Sequence, residues 1–255
     1  ISDFAVLYRT NAQSYTLERA FLRLRVSYQI VGGVRFYDRK EIKDIIAYLR
    51  LIYQPNDRMS FSRIVNVPTR GIGETSLERF LAWQSDSGMD ILSALINVEQ
   101  TSTVTARAKQ GLINLGEKLR AAQAMLETAS PSEIIEKVLS VTGYRDFILD
   151  GTPQAEDREA NLGALLSDAQ SFASLPDFLE EVALMSSADT DSDGKKVTLM
   201  TLHAAKGLEF PVVFIVGMEE GIIPHARVYE AGPAELEEER RLAYVGMTRA
   251  REELH

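Results

Sequence analysis

Val197-Thr198-Leu199-Met200-Thr201 leads through Leu202-His203-Ala204-Ala205-Lys206-Gly207-Leu208-Glu209-Phe210 into Pro211-Val212-Val213-Phe214-Ile215-Val216. The outer runs are short, apolar and rich in β-branched residues, and the segment between them carries polar groups and glycine. That pattern reads as two buried strands joined by a loop. From Thr201 to Glu209 the chain carries a hydroxyl, an imidazole, an ammonium, a glycine and a carboxylate, and the second strand is followed by Gly221 and His225. One crevice at the strand ends is expected to receive them all. Lys206-Gly207 is not a phosphate loop of its own, because no Gly-x4-Gly-Lys-Ser/Thr pattern surrounds it.

The same alternation opens the chain. Phe4-Ala5-Val6-Leu7-Tyr8 is a buried-strand run, and Leu17, Ala20, Phe21 and Leu24 follow at helical spacing. Tyr28-Gln29-Ile30-Val31 is a second strand, broken by Gly32-Gly33, and Ile42, Ile45, Ile46, Tyr48, Leu49 and Ile52 outline an amphipathic helix from near Asp38. After the two strands at 197–216 comes an acidic-start helix from about Ala234 to Ala250. Strands alternating with helices predict an α/β domain with a parallel sheet covered on both faces.

The middle of the chain reads differently, with helical periods around 59–66, 74–85, 89–98, 104–128, 132–142, 156–173 and 176–186 and no strand. Residues 54–194 are therefore expected to be an all-α insertion within an α/β domain built from 1–53 and 195–255. Pro55-Asn56-Asp57 opens the insertion, and the polar, Gly-ended stretch 188–194 closes it as a flexible connection. Two such connections form a two-strand hinge.

At 255 residues, 45% hydrophobic and 25% charged, the chain can bury two compact cores. The absence of cysteine excludes disulfides, thiolate metal sites and cysteine nucleophiles, and three histidines leave little for a zinc site, so no metal site is expected. No apolar run approaches the roughly 20 residues needed to span a bilayer, and Ile1-Ser2-Asp3 is not a signal-peptide start. The missing initial Met points to an excised piece, and Arg251-Glu252-Glu253-Leu254-His255 reads as cut inside an element. The net charge is −9, from 28 Lys+Arg against 37 Asp+Glu, which gives no broad attraction to nucleic acid or an anionic membrane. By segment, 1–53 carries 9 basic and 5 acidic groups (+4), 54–192 carries 11 and 21 (−10), and 193–255 carries 8 and 11 (−3). Phosphate binding must therefore be local.

Three further stretches carry polar chemistry. The first strand delivers Arg9, Thr10, Asn11 and Gln13 at its carboxyl end, where open α/β sheets bind ligands; the same residues serve equally as helix caps. Asn66-Val67-Pro68-Thr69-Arg70-Gly71-Ile72-Gly73 precedes helix-forming Glu74-Thr75-Ser76-Leu77, a helix-turn-helix whose backbone amides suit a phosphate and whose positive charge is Arg70. A plain inter-helix turn with glycines at positive φ accounts for the same residues. Any duplex contact here is expected to be small and salt-sensitive. In Glu237–Arg251 the acidic start suits a helix N-terminus, Leu242, Val245 and Met247 supply packing, and Arg249 is placed to meet a phosphate bidentately.

Together these stretches resemble the C-terminal half of UvrD/PcrA/Rep-type superfamily-one DNA helicases over nearly the whole chain. Residues 5–14 resemble the family's motif IVa, 32–44 its motif IVb, 69–73 its duplex-contacting GIG element, 197–225 motif V with its extension, and 237–251 motif VI. The resemblance implies that 1–53 and 195–255 form the second RecA-like motor domain (2A), of the P-loop NTPase type, and that 54–194 form its inserted helical 2B domain. It carries the arginine finger onto Arg249, the carboxylate touching the nucleotide sugar onto Glu209, and close backbone approach to the nucleotide onto Gly207. Arg9, Asn11, His203 and His225 match positions along single-stranded DNA, with Lys43 as a further phosphate contact, and Thr69, Arg70, Gly71, Ile72 and Gly73 match the duplex-binding element.

The resemblance implies an ATP-driven, Mg2+-dependent helicase and translocase, moving 3′ to 5′ on single-stranded and junction DNA in repair or replication. Its partners would be DNA, the N-terminal motor domain of the same chain and repair proteins, with no membrane, in a cytoplasmic, nucleoid-associated setting of bacterial type. No Gly-Lys-Thr/Ser loop, Walker B tetrad or motif IV Gln-Asn-Tyr-Arg occurs in these residues. The catalytic base and magnesium ligands are thus expected in a preceding portion, and these residues alone are not expected to hydrolyse ATP. The family's last strand is expected beyond His255, leaving the sheet frayed. Two other readings stand beside this one. The acidic helical insertion fits a regulatory or protein-interaction module, and the related RecB/AddA group joins such a motor to a nuclease.

Overall fold

The structure, a computed structural model, describes residues 1–152, 154–187 and 195–255. It divides into two compact units, one formed by Ile1–Arg39 with Leu184–His255 and the other by Lys40–Ala183. The polar connection expected at 188–194 lies outside the described residues.

The first unit is an α/β layer structure around five parallel strands, β1 (Phe4–Tyr8), β2 (Tyr28–Ile30), β3 (Val197–Thr201), β4 (Phe210–Ile215) and β5 (Ala250–Leu254), in the spatial order β2-β3-β1-β4-β5. Helix α1 (Ser14–Arg23) connects β1 to β2, and a long helix, Pro233–Met247, precedes β5. Strand alternation explains why both faces are covered. Ala5 and Leu7 point to one side with Met200, Leu202 and Val213, where Leu242 and Ala243 of the long helix pack. Val6 and Tyr8 point to the other with Tyr28, Val197 and Leu199, where Leu17 and Phe21 of α1 pack. The expected α/β class and parallel sheet are what is found.

One edge departs from expectation. The long helix stops at Met247, and Ala250–Leu254 forms β5, paired to β4 in the register Phe210↔Ala250 and Val213↔Leu254. Within Ala250-Arg251-Glu252-Glu253-Leu254 only the two ends are apolar, and the middle residues are exposed. Such a segment has no alternating pattern to betray it. It is a strand because β4 offers it an open edge.

The second unit contains helices α2 (Lys40–Tyr53), α3 (Arg58–Ile64), α4 (Glu74–Ser87), α5 (Ile91–Ile96), α6 (Ala106–Gln123), α7 (Pro131–Thr142), α8 (Tyr144–Ile148), α9 (Ala155–Ala169) and most of α10 (Leu175–Ser187). In the first unit follow α11 (Val228–Ala231) and the long helix already described, α12 (Pro233–Met247). Caps set the boundaries: Asp57 accepts the Ser60 amide before α3, Ser130 and Glu133 form a capping box around Pro131 before α7, and Gly143 ends α7 at φ 71°. The seven helical periods read between residues 59 and 186 all correspond to helices; the short α8 carried no period of its own.

By contacts Lys40–Ala183 form one compact unit, in which α2 packs with the helices that follow it. Its Ile42, Ile45, Leu49, Leu51 and Ile52 are fully buried, and the helix packs against α3, α6, α7 and α9. Each such side chain is worth roughly 1.5–3 kcal/mol on burial, well above the few tenths by which β-branching disfavours a helix. Buried Asp44 fixes the arrangement by accepting from Arg63 at 2.7 Å and from the Tyr144 hydroxyl at 2.8 Å.

Candidate functional site

Parallel strands send all their carboxyl ends to one edge, and four loops meet there. After β1, the Gln13 side-chain oxygen accepts from the backbone amides of both Arg9 and Thr10 at 2.9 Å, folding the turn that holds Asn11. The Asn11 carbonyl accepts from Arg39 Nη2 at 2.8 Å, and the same nitrogen donates to Ser14 Oγ at 2.6 Å. After β2, Gly32 lies at φ 73°, and a Cβ there would sit 2.8 Å from Ala204 Cβ, beside exposed His203 in the loop after β3. Only a glycine allows that approach. After β4, a Cβ on Gly217 would meet Gln13 Nε2 at 2.5 Å. Arg9, Asn11, His203 and His225 thus belong to one edge of the sheet.

A carboxylate organises two of them. Glu239 of α12 is buried and accepts from Arg9 Nε at 3.0 and 3.1 Å, from Arg9 Nη2 at 2.7 Å, and from the His225 backbone amide at 3.1 Å. Burial pushes the Glu239 carboxyl up, but the Arg9 and His225 hydrogen bonds and the Arg9 charge outweigh it and hold the group below the usual carboxylate range. In sequence, Glu239 is one of three consecutive acids suited to a helix start, with nothing in the run itself to single it out. Helical spacing contained the signal: Glu239, Leu242, Ala243 and Gly246 share the face of α12 that packs on the sheet.

The other expected groups lie elsewhere, which corrects the single crevice. Glu209 immediately precedes β4 and Arg249 immediately precedes β5, so both stand at the amino edge, a strand length of about 17 Å from the carboxyl edge. The loop after Thr201 turns back along the sheet, with Ala205 N bonded to Thr201 O and Leu208 N to Ala205 O, and so splits the motif between two edges. Arg249 is held by three acceptors: Nε donates to Val245 O at 2.9 Å, Nη1 to Leu208 O at 3.1 Å and Nη2 to Thr248 Oγ1 at 2.9 Å. Five N–H groups meet three acceptors, which leaves two for an anion. Exposed Glu209 pairs with Arg251 at 3.1 Å, and Gly207, at φ 85°, has open space around its Cα. Among the described residues no group of three or more metal-ligating side chains occurs, and no helix is long and apolar enough to cross a membrane.

In the helical unit, residues 69–73 form the expected turn between α3 and α4, clamped by Asn66, whose side-chain oxygen accepts from the Arg70 and Ile72 amides at 3.2 Å. Thr69, Gly71 and Gly73 are exposed, Ile72 is buried, and Gly71 has φ 71°. Arg70 departs from expectation. Its guanidinium turns inward, donating to Ile64 O at 2.8 Å, Val65 O at 3.0 Å and the Tyr48 hydroxyl at 2.6 Å. Exposed Arg107 lies beside the turn, its Nε 3.1 Å from where a Cβ on Gly71 would stand. Sequence distance concealed Arg107, which reaches the turn from the first turn of α6. Lys43 is exposed on α2.

The profile of the UvrD-like helicase C-terminal domain family matches residues 1–255. The chain belongs to that family. The RecA-like fold of UvrD-like C-terminal domains accounts for the five parallel strands. Across its whole length this UvrD-like domain is 45% identical to the ATP-dependent DNA helicase PcrA of Bacillus subtilis, over 269 aligned residues. It is 42% identical to ATP-dependent DNA helicase UvrD1 of Mycobacterium tuberculosis, again over all of the chain, and 42% to PcrA of Leuconostoc citreum over 99% of it. The UvrD-like domain spans 36% of the length of each of these relatives.

Proposed function

We propose that this chain is the second motor portion of an ATP-dependent DNA helicase, working between an N-terminal RecA-like domain and single-stranded DNA at a duplex junction, with 3′-to-5′ polarity. The observation that carries the reading is the partition of its groups between two edges of one sheet. Arg9, Asn11, His203 and His225 at the carboxyl edge contact the strand's phosphates and bases, while Gly207, Glu209 and Arg249 at the amino edge face the nucleotide. ATP supplies the transferable phosphoryl group, and Mg2+ and its ligands come with the N-terminal domain. Arg249 offsets charge on that group in the transition state, and its three anchors fix the guanidinium before the nucleotide arrives, so little reorganisation is needed. Glu209 orients the sugar. Helix α12 spans the two edges, carrying Glu239 at one and leading to Arg249 at the other. The exposed turn at 69–73 contacts duplex, and Lys43 adds a phosphate contact.

Replacing Arg249 with Ala in the complete helicase tests the nucleotide half. Turnover should fall by about 10³-fold while nucleotide affinity changes far less, since an arginine finger acts mainly in the transition state. Unchanged turnover refutes the assignment. A second reading, a regulatory or protein-binding helical unit, draws support from the −10 charge of residues 54–192. Absence of duplex binding at low salt favours it.

A further inference from the structure

We infer that Glu239 is a positioning residue for single-stranded DNA, presenting Arg9 and the His225 loop to the strand as one preset unit. The inference rests on the reading of Arg9 and His225 as DNA contacts and adds the group that aims them. Glu239 and Arg9 are 230 residues apart in sequence, yet the pair is side-on and bidentate, with relative side-chain exposure of 8% and 21%. The carboxylate engages Nε and Nη2 of Arg9. Among the described residues Nη1 makes no hydrogen bond, so its two N–H groups, with the second N–H of Nη2, are turned from Glu239 and left for a phosphate oxygen.

The same carboxylate takes the His225 amide, which ties the loop after β4 to the end of β1 through a third element, α12. An arginine with only its own rotamers to hold it loses much of its freedom on gripping a phosphate; an arginine already locked by a buried partner does not. Charge alone argues the opposite effect. Glu239 cancels the Arg9 charge, so a purely electrostatic site would bind DNA better without it. The two accounts differ in sign.

Equilibrium binding of fluorescein-labelled oligo(dT) by the complete helicase, measured across a salt series, separates them. For Glu239→Gln we expect affinity to fall about tenfold. The slope of log K against log salt should shrink by about 0.7, the value for one phosphate contact on a single strand. Arg9→Ala should do the same, and the double variant should be no weaker than Arg9→Ala alone. Loss of folded protein lowers the active fraction without changing the slope, so the slope distinguishes positioning from damage. If Glu239→Gln does not fold, Arg9→Lys provides the second arm: it keeps the charge but cannot hold the bidentate pair while leaving a nitrogen outward, and should match Arg9→Ala in slope. The inference is overturned if Arg9→Ala lowers the slope while Glu239→Gln leaves it unchanged or tightens binding, or if Arg9→Lys retains the full slope. If Arg9→Ala has no effect, the reading of Arg9 as a DNA contact fails first and Glu239 falls with it.

Discussion

Arg70 Nη2 lies 2.6 Å from the Tyr48 hydroxyl, which fastens the glycine turn after α3 to the buried helix α2. The hydroxyl also donates to the Val67 carbonyl, and Arg70 Nη1 covers the carbonyls of Ile64 and Val65. Removing the guanidinium leaves two backbone acceptors without their charged donor, and each such loss costs about 1–3 kcal/mol when the group is buried. Arg70→Ala should therefore destabilise the helical unit by about 3 kcal/mol and Tyr48→Phe by about 2 kcal/mol. Urea titration reads both as lower midpoints at constant m. A midpoint within error of the parent would show that the inward arginine contributes nothing.

Arg107 is expected to carry the charge on the outside of that turn. Arg107→Glu in the complete helicase should weaken duplex binding at low salt about tenfold and reduce the salt slope by about 0.9, while leaving the thermal midpoint within about a degree. Unchanged duplex affinity would remove the turn from the DNA contact.

Gly246 offers a test of packing between α12 and the sheet. A Cβ there would lie 2.4 Å from Leu202 Cδ2 and 3.1 Å from Ile215 Cδ1, and Leu202 is fully buried. Alanine gains about 1 kcal/mol in helix propensity but overpacks a filled core at a cost of about 1–3 kcal/mol. Gly246→Ala should lower stability by up to about 2 kcal/mol, seen as a fall of up to a few degrees in calorimetry. A rise would mean that the core accommodates the methyl freely.

Glu18 is expected to make the stability of the α/β unit depend on pH. Burial pushes its carboxyl up, and the bonds from Ser14, the Phe36 amide and Tyr28, with the Arg39 charge, offset this only in part. A raised folded-state pKa means that the native state binds the proton more tightly than the unfolded chain does. The Glu18 contribution is therefore complete below the unfolded value of about 4.3 and is lost as pH rises through the folded value. Glu18→Gln should flatten the fall in stability above about pH 4.3, measured by urea titration at each pH. An unaltered profile would assign the pH dependence elsewhere.

The sheet and the helical insertion were legible because their apolar periods are strong: Phe4–Tyr8, Val197–Thr201 and the spacing from Ile42 to Ile52 allow one reading each. β5 was illegible because edge pairing, and not burial, makes it a strand. Sequence continuity groups α2 with residues 1–53, whereas its packing against α3, α7 and α9 is visible only in three dimensions. In the site, residue types were readable and directions were not. Arg9 and Arg70 are both arginines on turns, yet one meets Glu239 across 230 residues and the other folds back on Ile64 and Val65. Long-range partners of this kind leave no local pattern.

The placement of the helical unit between β2 and β3, which are neighbours in the sheet, has a kinetic consequence. Pairing Tyr28 with Val197 closes a loop of more than 160 residues, an entropic cost of about 4–5 kcal/mol if that loop is an open coil. A helical unit rich in local contacts folds faster than a sheet built from distant strands and replaces most of that coil with a compact body. The expected order is helices first, then the β2–β3 seam. A slow step inside Lys40–Ala183 is therefore inherited by the sheet, and β2 stays a lone hydrophobic strand until that step is complete.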